Sequence, residues 1–162
     1  MSGTEAAQVE RTTPPRHWEA DVVLRDGKTA HIRPIRPEDA TLLVEFYDRV
    51  SDRSKYYRFF SPMKRLSDRD VARFTQVDHD SRVAFVLTLQ GQMIAVGRYD
   101  VVRPGEAEVA FLVEDQHQGR GIAQILLEHL AQAARERGVE RFVAEVLPDN
   151  QRMIQTLSLI HI

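Results

Sequence analysis

The sequence predicts an α/β (α+β) domain: a mixed, mostly antiparallel sheet flanked by helices. Three observations lead there. Residues 21–33 and 83–101 carry alternating apolar runs around short polar turns, the pattern of β-hairpins. Residues 37–50 and 122–137 repeat apolar side chains at helical spacing. Between them a strand-like stretch, 107–113, runs through a glycine-containing loop straight into the second of those helices.

Composition narrows the function classes. A chain of 162 residues, 43% apolar, fits one domain with a real core. A net charge of −2 supplies no global basic field for nucleic acid or a membrane surface. With no cysteine there is no disulfide framework, thiolate metal site or thiol nucleophile, which suits a cytoplasmic protein. No apolar run approaches the roughly 18 residues of a membrane span, and the N-terminus lacks a signal peptide's apolar core.

Residues 1–17 are polar, contain Pro14-Pro15 and read as a disordered leader, with the folded domain over 18–162. Trp18 reads as a packing anchor. The first hairpin turns at Arg25-Asp26-Gly27-Lys28, and its His31 is one candidate base. Pro37 opens a helix through Val50 whose buried face is Ala40, Leu43, Phe46, Tyr47 and Val50. Residues 51–61 hold four aromatic and three cationic side chains, read either as core packing or as a functional groove. Ser67 with Asp70 three residues on caps a short helix to about Gln76. Asp78-His79-Asp80 reads as a turn rather than a metal site.

The second hairpin, 83–89 with 93–101, turns over Gln90-Gly91-Gln92, and Pro104-Gly105 leads into the central strand. There Val109, Phe111 and Val113 share one face, and Glu108, Ala110 and Leu112 the other. Apart from Glu108 both faces are apolar, as in an interior strand covered on both sides. The next helix has Ile122, Leu126, Leu130 and Ala134 on one face and stops at Gly138. Residues 141–147 form another strand, and Pro148-Asp149-Asn150 starts a last helix. In the loop, Gly119 and Gly121 permit a tight turn that presents N–H groups at a helix N-terminus, where the dipole favours anions. A phosphate-bearing ligand suits that geometry, and a plain tight turn is the other reading. The loop is neither a P-loop nor a full GxGxxG fingerprint.

Gln118-Gly119-Arg120-Gly121-Ile122-Ala123 resembles the Gln/Arg-x-x-Gly-x-Gly/Ala signature of the GNAT superfamily of acyl-CoA-dependent N-acyltransferases. Ala107-Glu108-Val109-Ala110-Phe111-Leu112-Val113 resembles that family's fourth strand, and Asn150 fits the residue opening its fourth helix. The resemblance spans roughly residues 29–153. It is strongest to the GNAT domain of bacterial protein lysine acetyltransferases, in some actinobacteria joined to an ADP-forming acyl-CoA synthetase. The family's last helix normally leads to an aromatic residue, a Gly-Phe or Gly-Tyr turn and two more strands. None of that follows here, and residues 157–162 have no counterpart in the family, so the resemblance implies a domain incomplete at its C-terminus, with 157–162 outside the native sequence.

The resemblance implies acetyl transfer from acetyl-CoA to an amine, with no metal. Backbone N–H groups of Gln118, Gly119, Arg120, Gly121, Ile122 and Ala123 would hold the pyrophosphate. Arg120 would add charge there or face solvent. Phe111, Leu112 and Val113 would pair with the pantetheine arm, which Asn150 would also contact. An N–H near Leu112 would polarise the thioester carbonyl, a donor of a kind worth about 2.7–4 kcal/mol in other enzymes. Tyr56, Tyr57 and Arg58 would line the acceptor groove. Glu108 is the expected general base: it is the one carboxylate of an apolar strand, where desolvation would favour its proton-bound form. Asp100 and Glu106, expected to be exposed near the turn, are weaker candidates. A structural Glu108 paired with Arg98 is the alternative. The general acid is unassigned, since the position where many relatives carry a tyrosine offers only Leu157. The preferred acceptor is a protein lysine, with an acyl-CoA synthetase as a further partner. A small amine, or a non-catalytic acyl-CoA-binding module or inactive fragment, stands as the alternative.

Overall fold

The computed structural model describes residues 13–50, 66–117 and 121–144. Its framework is a six-stranded sheet in sequential order: β1 (Ala20–Val23), β2 (Thr29–Pro34), β3 (Arg82–Leu89), β4 (Gln92–Arg103), β5 (Glu106–Val113) and β6 (Arg141–Val143). The neighbours from β1 to β5 run antiparallel, and β5 and β6 are parallel. A parallel pair needs a crossover, and α3 (Ile122–Glu136) supplies it. The other described α-helices, α1 (Ala40–Arg49) and α2 (Asp68–Thr75), lie between β2 and β3 in sequence.

The helices divide between the two sheet faces. Ile122, Leu126, Leu130 and Ala134 of α3 are buried with Trp18, Phe85 and Tyr99 on one face. Leu43, Phe46, Tyr47 and Val50 are buried with Val86, Val96 and Leu112 on the other. The predicted apolar stripes of both helices thus face the core, although Ala40 is only half-buried. Where α3 crosses β4 the two approach closely: a Cβ on Gly97 would lie 3.1–3.2 Å from Phe111, Leu126 and Leu130 side chains.

Local chemistry sets the element ends. Gln90 and Gly91 both have positive φ (52° and 79°) and form a two-residue turn, so Gln92 pairs with Leu89 inside the ladder. Residues 37–39 form a 3₁₀ turn ahead of α1. Ser67 Oγ accepts from the Asp70 N–H, the predicted capping box. Helix α3 ends in paired bonds, Gly138 N–H to the Arg135 carbonyl and Val139 N–H to that of Ala134. Trp18 is buried and donates from Nε1 to Glu136, tying the chain's entry to the end of α3. Asp78 accepts from the backbone N–H groups of Asp80 and Arg82, so the Asp-His-Asp stretch is the turn expected.

His31 is not in a catalytic setting. Its ring donates to Asp21 at 2.8 Å and Glu19 at 2.6 Å, clipping β1 to β2. Those bonds raise the His31 pKa, with the Asp21 bond the larger cause, and the bond to His31 lowers that of Glu19. The histidine contribution is therefore complete below its unfolded pKa of about 6.5 and fades as pH rises through the raised folded value. The Glu19 contribution is complete above the ordinary glutamate pKa and fades as pH falls through its lowered folded value. Since the His31 side chain is 38% exposed, the effect is small, under about 1 kcal/mol. Urea unfolding of wild type and His31→Gln should differ most near pH 6 and least above pH 8; a difference that grows with pH would refute the clip.

Candidate active site

The site is built around a fork in the sheet. β5 pairs with β4 along its whole length, from Glu106 to Val113. Among the described residues, its other edge pairs with β6 at Glu106, Ala107 and Glu108, the last opposite Val143. Among the described residues, positions 109–113 have no strand partner on that edge. A linear ligand with amide groups fits such an edge as an added strand would.

The end of β5 leads to the N-terminus of α3. Gly121 is its N-cap with φ 76°, a left-handed conformation that glycine adopts without strain. Ile122 to Ala123 open the helix, whose first N–H groups have no intrahelical acceptor. Gln118, Gly119 and Arg120 lie outside the described residues, as do Tyr56, Tyr57, Arg58 and Asn150.

The turn between β1 and β2 brings Arg25 to this helix end. Atoms of its guanidinium lie 3.0–3.2 Å from where a Gly121 Cβ would stand. Val23, Arg25, Gly121, Gln124, Ile125 and Glu128 line a pocket of about 200 Å³. In the sequence Arg25 is only a turn residue; no local signal places it 96 positions along the chain.

Glu108 occupies the fork, and its surroundings correct the expectation of burial. Its side chain is exposed, although β6 pairs beside it through Val143. The desolvation inferred from apolar sequence neighbours is therefore absent. The alternative pairing is absent too: Glu108 has no ion pair with Arg98. Arg98 is buried with its guanidinium 4.4 Å from the Phe74 ring centroid. Asp100 lies directly across from Glu108 on β4, 3.5 Å from Arg82 Nε. Glu106, expected to be exposed, is instead 6% exposed. Arg103 and Arg141 each approach its carboxylate to 2.7 Å, which makes it a structural ion pair rather than a free base.

Sequence reasoning also passed over Glu114, the residue after β5. It is buried, and its Oε1 accepts from Arg49 Nε and Gln116 Nε2, both at 3.1 Å. Arg49 ends α1 and also donates to the Met93 carbonyl at 2.8 Å.

The fold has a counterpart in known proteins. Residues 44–158 match the model of the acetyltransferase (GNAT) family, well over half of the chain. The chain belongs to this family. It is an N-acetyltransferase of the group, whose members use acetyl-CoA. Its fold superimposes on the crystal structure of the GNAT domain of S. lividans PAT with a TM-score of 0.86 and 57% identity, covering 90% of this chain and 88% of that one. Acetyltransferase PA5475 of Pseudomonas aeruginosa is 30% identical over 142 residues, 85% of this chain and 75% of its own. Acetyltransferase Pat of Mycolicibacterium smegmatis is 36% identical over 138 residues, 82% of this chain; the match spans only 40% of that longer protein. Among the described residues, no helix is long and apolar enough to cross a membrane.

Acetyl-CoA fits the described residues: an open strand edge for an amide-bearing arm, then donors and a guanidinium where phosphates would follow.

Proposed function

We propose that this GNAT domain acetylates lysine side chains of proteins, with Glu108 as the general base. The observation that carries it is the exposed carboxylate of Glu108 on β5, three residues before the backbone proposed to take the pantetheine arm. Acetyl-CoA supplies an activated thioester there. The protein's work is to bind it, orient it and manage the proton of the incoming amine. The backbone of Phe111, Leu112 and Val113 holds the arm, and backbone N–H groups of Gln118 to Ala123, the stretch that leads into α3, hold the pyrophosphate. Arg25 adds positive charge beside it. Asn150 contacts the pantetheine region, and Tyr56, Tyr57 and Arg58 form the acceptor side.

The carboxylates favour a cationic acceptor. Glu108 and Asp100 face each other across β5 and β4, on the sheet face that α1 covers. A lysine ammonium, with a reference pKa of about 10.4, gains from two carboxylates on approach and must then lose one proton. Glu108 takes that proton to free the amine, which attacks the thioester carbonyl. The C–S bond then breaks, CoA leaves as its thiolate, and the second proton lost from the acylated nitrogen goes to that thiolate. The resemblance to protein lysine acetyltransferases supports a protein amine as the acceptor.

Thermal unfolding with and without acetyl-CoA tests the first half of this reading. Ligand at a hundredfold over its Kd adds about 2.7 kcal/mol, which raises the midpoint of a domain this size by about 5–10 °C. An unmoved cooperative transition would rule out the acetyl-CoA site. Incubation with radiolabelled acetyl-CoA, a protein mixture and small amines tests the second half. Label should appear on lysines of protein, and label confined to small amines would overturn the acceptor.

A further inference from the structure

We infer that the pocket between the β1–β2 turn and α3 takes the 3′-phosphoadenosine end of acetyl-CoA, with Arg25 as the partner of its 3′-phosphate. The inference rests on the acetyl-CoA reading above and assigns to it the part of the cofactor farthest from the thioester.

The pocket, about 200 Å³, lies along one stripe of α3. Gly121, Gln124, Ile125 and Glu128 stand at i, i+3, i+4 and i+7, successive neighbours on one helix face. The adjoining stripe, Ile122, Leu126 and Leu130, is the one buried against the sheet. Val23 bounds the pocket from the end of β1, and Arg25 from the turn that follows. Val23 is 69% exposed, a large apolar side chain left to solvent. With Ile125 it offers an apolar wall for a flat ring.

The Arg25 guanidinium is set against the start of the helix. Its Nε, Nη2 and Cζ lie 3.0–3.2 Å from where a Gly121 Cβ would stand. A side chain at 121 would displace the guanidinium, so the glycine makes room for the arginine as well as for the φ of 76°. A cation on an exposed turn adds little to stability by itself. Its planar fork of donors, in contrast, matches a phosphate.

Charge varies along the pocket in an order that fits this ligand. At one end stand Arg25 and the first turn of α3, where the helix dipole also favours an anion. Glu128 stands seven residues on, about 10 Å along the axis at about 1.5 Å per residue. Its carboxylate, 3.5 Å from Gln124 Nε2, makes that end unfit for a phosphate and suited to an N–H donor. A 3′-phosphoadenosine group carries its phosphate on the ribose and its amino group at the far edge of the purine, the same order. Covalent connection agrees as well. In CoA the ribose follows directly on the pyrophosphate, and Gly121 belongs both to this pocket and to the stretch proposed above for the pyrophosphate.

The test uses three ligands that share the pantetheine arm: CoA, 3′-dephospho-CoA and S-acetylpantetheine. Their dissociation constants are measured by calorimetry and NMR titration for the wild-type chain, Arg25→Gln and Val23→Glu. The wild type should bind CoA about 5- to 15-fold more tightly than 3′-dephospho-CoA, the worth of one charge-assisted contact at a partly exposed site. Arg25→Gln should weaken CoA by that factor and leave the other two ligands within about twofold. Val23→Glu brings a second carboxylate to the pocket and should also reduce the preference for CoA. Equal weakening of CoA and 3′-dephospho-CoA by Arg25→Gln would move the arginine to the pyrophosphate and overturn the assignment. An unchanged preference, or S-acetylpantetheine weakened as much as CoA, overturns it too. Both positions are exposed, so both variants should melt cooperatively, and if one does not, the other decides. A wild-type chain that binds no CoA removes the acetyl-CoA reading itself, whereas one that binds CoA and 3′-dephospho-CoA alike removes only the pocket.

Discussion

Asp39→Ala is expected to cost the domain about 3–5 kcal/mol, the largest stability loss of any single change considered. Asp39 accepts two bonds of 2.7 Å from the Arg33 guanidinium and one of 2.8 Å from the Arg36 N–H, with both side chains under a tenth exposed. The pair joins the end of β2 to the 3₁₀ turn that starts α1. Alanine leaves Arg33 charged, buried and without this counterion, which is the expensive way to break such a pair. Burial by itself pushes the Asp39 pKa up, but the Arg33 bonds and the Arg36 N–H outweigh it and the pKa lies below the ordinary aspartate value. The stability it brings is thus present above about pH 4 and lost as pH falls through the lowered folded pKa. Urea denaturation at pH 7 measures the loss. A decrease below about 1 kcal/mol would place the pair with the weak surface ion pairs.

Much of this architecture is legible from pattern because its causes are local. The apolar runs 83–89 and 93–101, the turn around Gln90-Gly91-Gln92 and the stripe Ile122, Leu126, Leu130 and Ala134 each follow from neighbouring residues alone, although the second strand extends to Gln92 and Arg103. The capping box at Ser67 and the stop at Gly138 are local too. What could not be read depends on which strand lies alongside which. Glu108 looks buried among Ala107, Val109 and Ala110, yet its side chain is exposed, although β6 pairs beside it through Val143. Glu106, two residues earlier, looks like a turn carboxylate and is buried, because the same strand brings Arg141 onto it. Arg25 and Arg49 show the same limit on the cation side. Gly121 and Glu114, which they approach, are far away in sequence and meet them only through the fold.

The exposure of Glu108 changes what its replacement should do. A side chain with no hydrogen bond or ion pair among the described residues can become glutamine with little effect on folding, within about 0.5 kcal/mol. Glu108→Gln should nonetheless lower acetyl transfer to protein lysines by about 10²–10⁴-fold, the usual worth of a positioned base. Affinity for acetyl-CoA should stay within about twofold, since the strand edge and the α3 N-terminus are untouched. The pH dependence separates a base from a residue that merely shapes the groove. Without Glu108 the enzyme must wait for an amine that has already lost its proton. The variant's rate should therefore climb about tenfold per pH unit toward the lysine pKa near 10.4, closing the gap with wild type. A groove-shaping role predicts a constant gap at every pH. Retained turnover at neutral pH would pass the proton to another group, and Asp100, directly across the ladder from Glu108, is the carboxylate the sheet places next in line.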